Sequence, residues 1–339
     1  MNVVLISYTQ LGAGGGVPRF NRDLIYALSN GKHYSWFDML KELRRPDSGI
    51  PEWDKARALN NWLRATKRIT NDDIVITDGF WGLGLEDHPK LVSVAHGNWS
   101  HTTKDDVEKG IPPEFPLHAA VQLDFRKRVV DKGGRIVAVS DFIAHQCKIQ
   151  WGFDFPVINN GIDLKKFTPT TDKKKRKRPV IIHGTTTGNK GFDHIDHLKK
   201  NIDADVLLLD DAPGFFGVPK YPAMAQADLI VHPSAHEGNS YFVLESLASG
   251  VPIVSYNVGL MYLAKEEGRD GDFGRILDRT GRSKEYTLQG TAGALEHALL
   301  GPTMGEKARE FATRFSVENF RQNWLNYLNK EFGYDPLSG

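Results

Sequence analysis

Residues 232–259 read HPSAHEGNSYFVLESLASGVPIVSYNVG. An apolar run at 229–231 ends at His232 and Pro233. A polar loop follows, carrying Glu237, Gly238, Asn239 and Ser240. Apolar side chains then recur at helical spacing over 241–249, and Gly250 supplies the stop. A second apolar run at 252–255 predicts the next strand. Strand, loop, helix and strand in so short a span is the unit of a parallel α/β sheet. Backbone N–H groups at 238–242 suit a phosphate. Glu237, before the helix, can face a ligand held at the helix N-terminus. Glu245, about two turns on, can reach a ribose. A carboxylate pair also raises a glycosidase acid–base couple. One group on a loop and one on the following helix suit hydroxyl recognition better.

The same alternation extends in both directions. Strands are predicted at 2–8, 74–77, 91–95, 135–139 and 157–159, then at 180–183 and 206–209. Helices are predicted at 18–29, 52–68, 117–132, 142–151, 192–200, 292–299, 306–315 and 317–332. Between the two series lies TPTTDKKKRKRP, 168–179, with six consecutive basic residues. It reads as an exposed linker. The expected division is 1–165, a basic linker 166–179, a second α/β domain 180–315, and a closing helix 316–339.

Composition bounds the function classes. The 339 residues carry 43 Lys and Arg against 42 Asp and Glu, a formal charge of +1. That excludes a globally basic nucleic-acid coat and an acidic tail protein. Residues 1–165 hold 21 basic and 20 acidic groups. The single cysteine, Cys147, excludes an internal disulfide and a cysteine-based metal site. A reducing, cytoplasmic setting is expected. No apolar run approaches a membrane span, and 2–8 reads as a strand, so neither a signal peptide nor membrane insertion is expected.

Two glycine-rich loops follow predicted strands. GAGGGVPRF, 12–20, opens a helix whose N–H groups can meet an anion. Its spacing is not that of a dinucleotide fingerprint. HGTTTGNKGFD, 183–193, suits a diphosphate, with Lys190 meeting the charge. It lacks the ending of a P-loop.

Together these segments resemble the retaining GT-B glycosyltransferases of family 4. Glu237 and Glu245 match that family's EX7E motif, within PSAHEGNSYFVLESLASGVPIVS. VAVSDFIAHQ (137–146), INNGIDLKKFTP (158–169), GTTTGNKGF and GGGVPRF resemble further family segments. The resemblance implies two Rossmann-like domains facing a cleft, with the last helix crossing back to the N-terminal domain, which binds the acceptor. It implies donor binding by Gly15, Gly16, Thr185, Lys190, Glu237, Gly238, Asn239, Ser240 and Glu245, with catalytic roles for Glu237, His96 and Lys190. No metal and no cofactor are implied beyond a UDP- or GDP-linked sugar donor. Thr185 stands where the family has arginine, so of that basic pair only Lys190 carries over. Transfer would proceed on one face of the sugar, the leaving phosphate taking the acceptor proton.

The acceptor stays open between a glycan, a lipid and DNA. GTTTGNKGF also resembles a segment of phage DNA α-glucosyltransferases, and the basic run admits a polyanion. Trp36, Trp53, Trp62, Trp81 and Trp99 offer rings for stacking or for core packing. A nucleotide-sugar epimerase and a non-catalytic nucleotide-sugar binder are the competing readings. In the closing helix, Phe320, Trp324, Tyr327, Leu328 and Phe332 form one apolar stripe.

Overall fold

The computed structural model describes residues 2–28, 31–47, 49–97, 114–170, 172–173, 176–184, 190–278 and 283–337. The chain forms two compact units. Unit 1 takes Met1–Val139, Ile143–Asn159 and Phe320–Gly339; unit 2 takes Ser140–Phe142 and Asn160–Asn319.

Unit 1 is built on a five-stranded parallel sheet of β1 (Val3–Ser7), β2 (Gly31–Ser35), β3 (Ile74–Asp78), β4 (Leu91–Ala95) and β5 (Arg135–Ala138). The order is β2-β1-β3-β4-β5. Its central strands VVLIS, IVITD and LVSVA are almost wholly buried. Strands covered on both faces require such continuous apolar runs. Helices α1 (Gly16–Ile25), α2 (Trp36–Leu43), α3 (Glu52–Ala65), α4 (Glu114–Asp131) and α5 (Asp141–Trp151) occur along this half of the chain.

Unit 2 repeats the design with β6 (Val180–His183), β7 (Asp205–Leu208), β8 (Leu229–His232), β9 (Ile253–Tyr256) and β10 (Gly274–Leu277). Their order is β10-β9-β8-β6-β7, again all parallel. The helices are α6 (Phe192–Asn201), α7 (Ala212–Phe216), α8 (Lys220–Ala225), α9 (Tyr241–Ala248), α10 (Leu260–Glu266), α11 (Lys284–Leu299) and α12 (Thr303–Thr313), followed by α13 (Val317–Phe332). Counted within its own unit, each sheet has the order 2-1-3-4-5. The winding direction therefore changes between β1 and β3, and between β6 and β8. Open α/β sheets bind ligands beyond the C-terminal ends of the strands at such a switch point.

Several elements differ from expectation. β2 (GKHYS) and β10 (GRIL) are not predicted. Both are edge strands with one neighbour each, so they need less apolar surface. The strand expected at 157–159 is only a bridge, Ala138 to Val157, fastened by Ile158 N–H donating to Ala138 O (3.0 Å). α11 starts at Lys284, before the predicted 292, because the Ser283 hydroxyl caps it by accepting from Tyr286 N–H.

Three residues of the basic run, Lys173, Arg176 and Arg178, have partners in unit 2. Arg176 donates to Asp228 (3.0 Å) and to Gln226 O, and its side chain is 14% exposed. Lys173 donates to Ala227 O, and Arg178 bonds both Asp203 and Asp205. Carboxylates at the N-terminal ends of β7 and β8 pair with these residues. Phe320, Trp324 and Leu328 of α13 are buried, with Phe20 packed edge-on against Phe320 (5.3 Å) and Trp324 (6.0 Å). The last helix thus docks on unit 1. Among the described residues no helix is long and apolar enough to cross a membrane.

Candidate active site

In unit 2 the switch point is furnished by the turns after β6 and β8. β8 ends on His232, which is 3% exposed. The chain then runs through a loop to Ser240, the N-cap of α9. Ser234 Oγ donates to His236 O (3.0 Å), which tightens that loop and turns Glu237 back toward the strand end. Glu237 meets His232 Nε2 at 2.9 Å and the Lys190 ammonium at the same oxygen. Burial alone would push the Glu237 carboxyl up. The bond and charge of His232 and the Lys190 charge outweigh it and hold the group at about 2. Glu237 is therefore an ionised carboxylate at neutral pH, pinned in one orientation at the C-terminal end of the sheet.

The Ser240 hydroxyl makes no capping bond, so it does not occupy the first-turn N–H groups of α9. The positive end of the helix suits an anion. α9 begins at Tyr241, which puts the half-buried Glu245 a little over one turn into the helix rather than two. Gly191 has φ +79°, and a Cβ there would lie 2.6 Å from Pro233 O. Only glycine lets the turn after Lys190 pass so close to the loop after β8.

Two supports of this loop come from far away in sequence. Ser140 Oγ donates to Gly238 O (2.5 Å) and Asn160 Nδ2 donates to Asn239 O (2.8 Å). Arg309 of α12 donates to Leu164 O, Phe167 O and Ala248 O, tying the 158–169 segment to the end of α9. Sequence reasoning noticed the segments holding Ser140 and Asn160 but gave neither residue a task. The bond between His232 and Glu237 was also missed. The signal was a histidine ending an apolar strand five residues before a glutamate on the following loop, since a polar group at the end of a buried strand needs a partner.

In unit 1 the corresponding positions follow β1, β3 and β4. Gly15 is the N-cap of α1 at φ +110°, and Gly16 is its first residue; the cap makes no side-chain bond. Asp78 ends β3, and His96 follows β4, one strand over. Phe20 of α1 lies edge-on to the His96 ring at 4.6 Å. Trp36 and Trp81 are buried. Trp53 contacts His118, and Trp62 carries the Arg68 guanidinium at 4.2 Å. Thr185, Trp99, Lys174 and Lys175 lie outside the described residues. The sequence-predicted residues thus form two groups. Lys190, Glu237, Gly238, Asn239, Ser240 and Glu245 lie in unit 2, where Lys190 and Glu237 are in contact, while Gly15, Gly16 and His96 lie in unit 1 after the C-terminal ends of β1 and β4.

Residues 164–285 match a family model described as Glycosyl transferases group 1. D-inositol 3-phosphate glycosyltransferase of Paenarthrobacter aurescens (strain TC1) is 27% identical over 187 residues, covering 43% of this chain and 46% of the relative. The enzyme of that name from Corynebacterium aurimucosum is 30% identical over 151 residues, covering 43% and 33%. The chain spans less than half the length of these curated relatives in the match. Among solved structures, sucrose-phosphate synthase from Thermosynechococcus elongatus aligns with a TM-score of 0.74 at 14% identity, over 98% of this chain and 100% of that one. WaaG, a glycosyltransferase involved in lipopolysaccharide biosynthesis, aligns at 0.68 and 15%, over 98% and 100%. Anabaena HepE in complex with UDP and glucose aligns at 0.68 and 15%, over 97% and 99%. The chain has two parallel-sheet α/β domains and shares the GT-B fold of these structures.

Proposed function

We propose that the chain is a retaining GT-B glycosyltransferase of the family 4 kind, moving a sugar from a UDP-linked donor to a hydroxyl of a glycan or a lipid-linked sugar. The observation that carries this is the ionised Glu237, fixed by His232 and Lys190 at the switch point of unit 2 beside the uncapped start of α9. The match to glycosyl transferases group 1 covers this same region. UDP is preferred because it is the nucleotide named with HepE.

In this proposal Glu237 accepts hydrogen bonds from sugar hydroxyls, and Glu245 accepts from the ribose. An ammonium has three donors. One meets Glu237 and a second reaches toward His236 O at 3.4 Å, which, among the described residues, leaves one for a phosphate oxygen. With the N–H groups of α9 it offsets the charge that grows on the leaving diphosphate, without a metal. The sugar itself develops positive character, which a fixed carboxylate stabilises. A DNA acceptor is disfavoured, because Arg176 and Arg178 already meet carboxylates of unit 2. The cytoplasm is the proposed location.

The test is nucleoside diphosphate release from a panel of UDP- and GDP-sugars, with and without glycan, lipid and DNA acceptors. Release stimulated by an acceptor, with the sugar found on it, supports the proposal. Release with isomerised free sugar indicates an epimerase. Tight binding with no turnover on any donor indicates a binding protein.

A further inference from the structure

Asp78 and His96 form a half-buried pair at the C-terminal ends of β3 and β4. Asp78 Oδ1 lies 3.3 Å from His96 Nε2, with side chains 15% and 17% exposed. His96 Nε2 is buried without a hydrogen bond, so a small turn of either group closes the pair. Adjacent strands fix the approach: Asp78 is the last residue of β3 and is in register with Val94 of β4, two residues before His96. Phe20 closes one side of the imidazole. The charged groups around the pair are few among the described residues. Glu52, at the start of α3, faces Asp78 and itself lies 3.7 Å from His118. Arg126 of α4 faces His96, donates to Gly97 O at 2.7 Å, and sits beside Cys147.

We propose that Asp78 is a positioning residue that selects the tautomer of His96, and so decides whether His96 Nδ1 donates to or accepts from the sugar or acceptor. This rests on the glycosyltransferase reading for its ligand, but not for the chemistry of the pair. Burial, then Glu52, pushes the Asp78 carboxyl up to about 7. Burial, then Arg126, pushes His96 down to about 3, so the imidazole is neutral throughout. While Asp78 is protonated, its O–H donates to Nε2, and the ring proton sits on Nδ1 as a donor. When one proton leaves for water, the carboxylate accepts from Nε2–H, and Nδ1 becomes a bare acceptor. One titration therefore inverts the hydrogen-bonding sense of the outer nitrogen without charging the ring.

The experiment is ¹⁵N-histidine NMR of the full chain from pH 5.5 to 8.5, for the wild type, Asp78→Asn and Glu52→Gln. The wild type should show His96 passing from the Nδ1–H to the Nε2–H form with a midpoint near 7. Asp78→Asn, whose amide donates at every pH, should hold the Nδ1–H form throughout. Glu52→Gln, which removes the neighbouring charge, should lower the midpoint. Turnover of the best donor should fall through the same midpoint in the wild type and stay level there in Asp78→Asn. An ordinary imidazolium titration of His96 in the wild type, or one tautomer at all pH values, would overturn the proposal without need of any variant. If the tautomer changes as described but no donor is turned over, the pair stands and the glycosyltransferase reading fails.

Discussion

Glu237→Gln removes one charge from a buried contact while keeping the shape. The wild-type carboxyl is held at about 2, against an ordinary 4.5. At about 1.4 kcal/mol per pKa unit, that depression is worth about 3 kcal/mol of stability. The sign follows from the lowered value. The contribution is fully present above pH 4.5, where the unfolded chain is also ionised, and it is lost as pH falls toward 2. All seven tryptophans lie in unit 1. Urea unfolding followed by fluorescence therefore reports unit 1, and far-ultraviolet circular dichroism reports both. With an m-value of about 2 kcal/mol/M, Glu237→Gln should bring the unit 2 transition down by about 1.5 M urea at pH 7, with the tryptophan transition in place. The gap between wild type and variant should narrow below pH 4.5 and close as pH approaches 2. A gap that stays constant over that range, or no loss of stability at pH 7, would refute the claim that an ionised Glu237 is what His232 and Lys190 hold.

Other outcomes follow from the same geometry. Glu245→Ala should weaken binding of free UDP, whereas Glu237→Ala should lower turnover and leave free UDP binding nearly intact; calorimetry showing equal losses would mean that the ribose and sugar roles are misassigned. The proposed meeting of the diphosphate by Lys190 and helix N–H groups predicts that EDTA leaves turnover within about twofold; complete loss restored by Mn²⁺ would contradict it. Trp324→Ala, at a site with no exposure, should cost about 3–5 kcal/mol in urea unfolding, and a cost below about 1 kcal/mol would show that α13 does not seal unit 1.

What the sequence revealed follows from where the physical signal is strong. Central strands such as VVLIS and LIVH are buried on both faces, so their composition alone identifies them. β2 (GKHYS) sits at an edge with half-exposed residues and satisfies itself with hydrogen bonds rather than apolar area. α8 and α10 are too short for periodicity to register. The loop carrying Glu237 and the helix carrying Glu245 were legible through the apolar strand before them and the glycine stop after them. His232, Ser140 and Asn160 were not, because their tasks depend on contacts across 5, 98 and 79 residues of chain, which only the fold brings together. Lys173, Lys177 and Arg178 are exposed, as a run of positive charge suggests, but the ion pairs of Arg176 and Arg178 with Asp228, Asp203 and Asp205 depend on the fold and were not legible.

The central claim, sugar transfer with retention from a nucleotide donor held by unit 2, is tested most directly by time-resolved ¹H NMR of the enzyme with the UDP-α-sugar that gives the fastest UDP release. The anomeric signal of the first product, on an acceptor or on water, identifies the face of attack. The account predicts UDP and an α-configured product appearing together. A β-configured first product, or an unchanged donor with every sugar nucleotide tried, would contradict it.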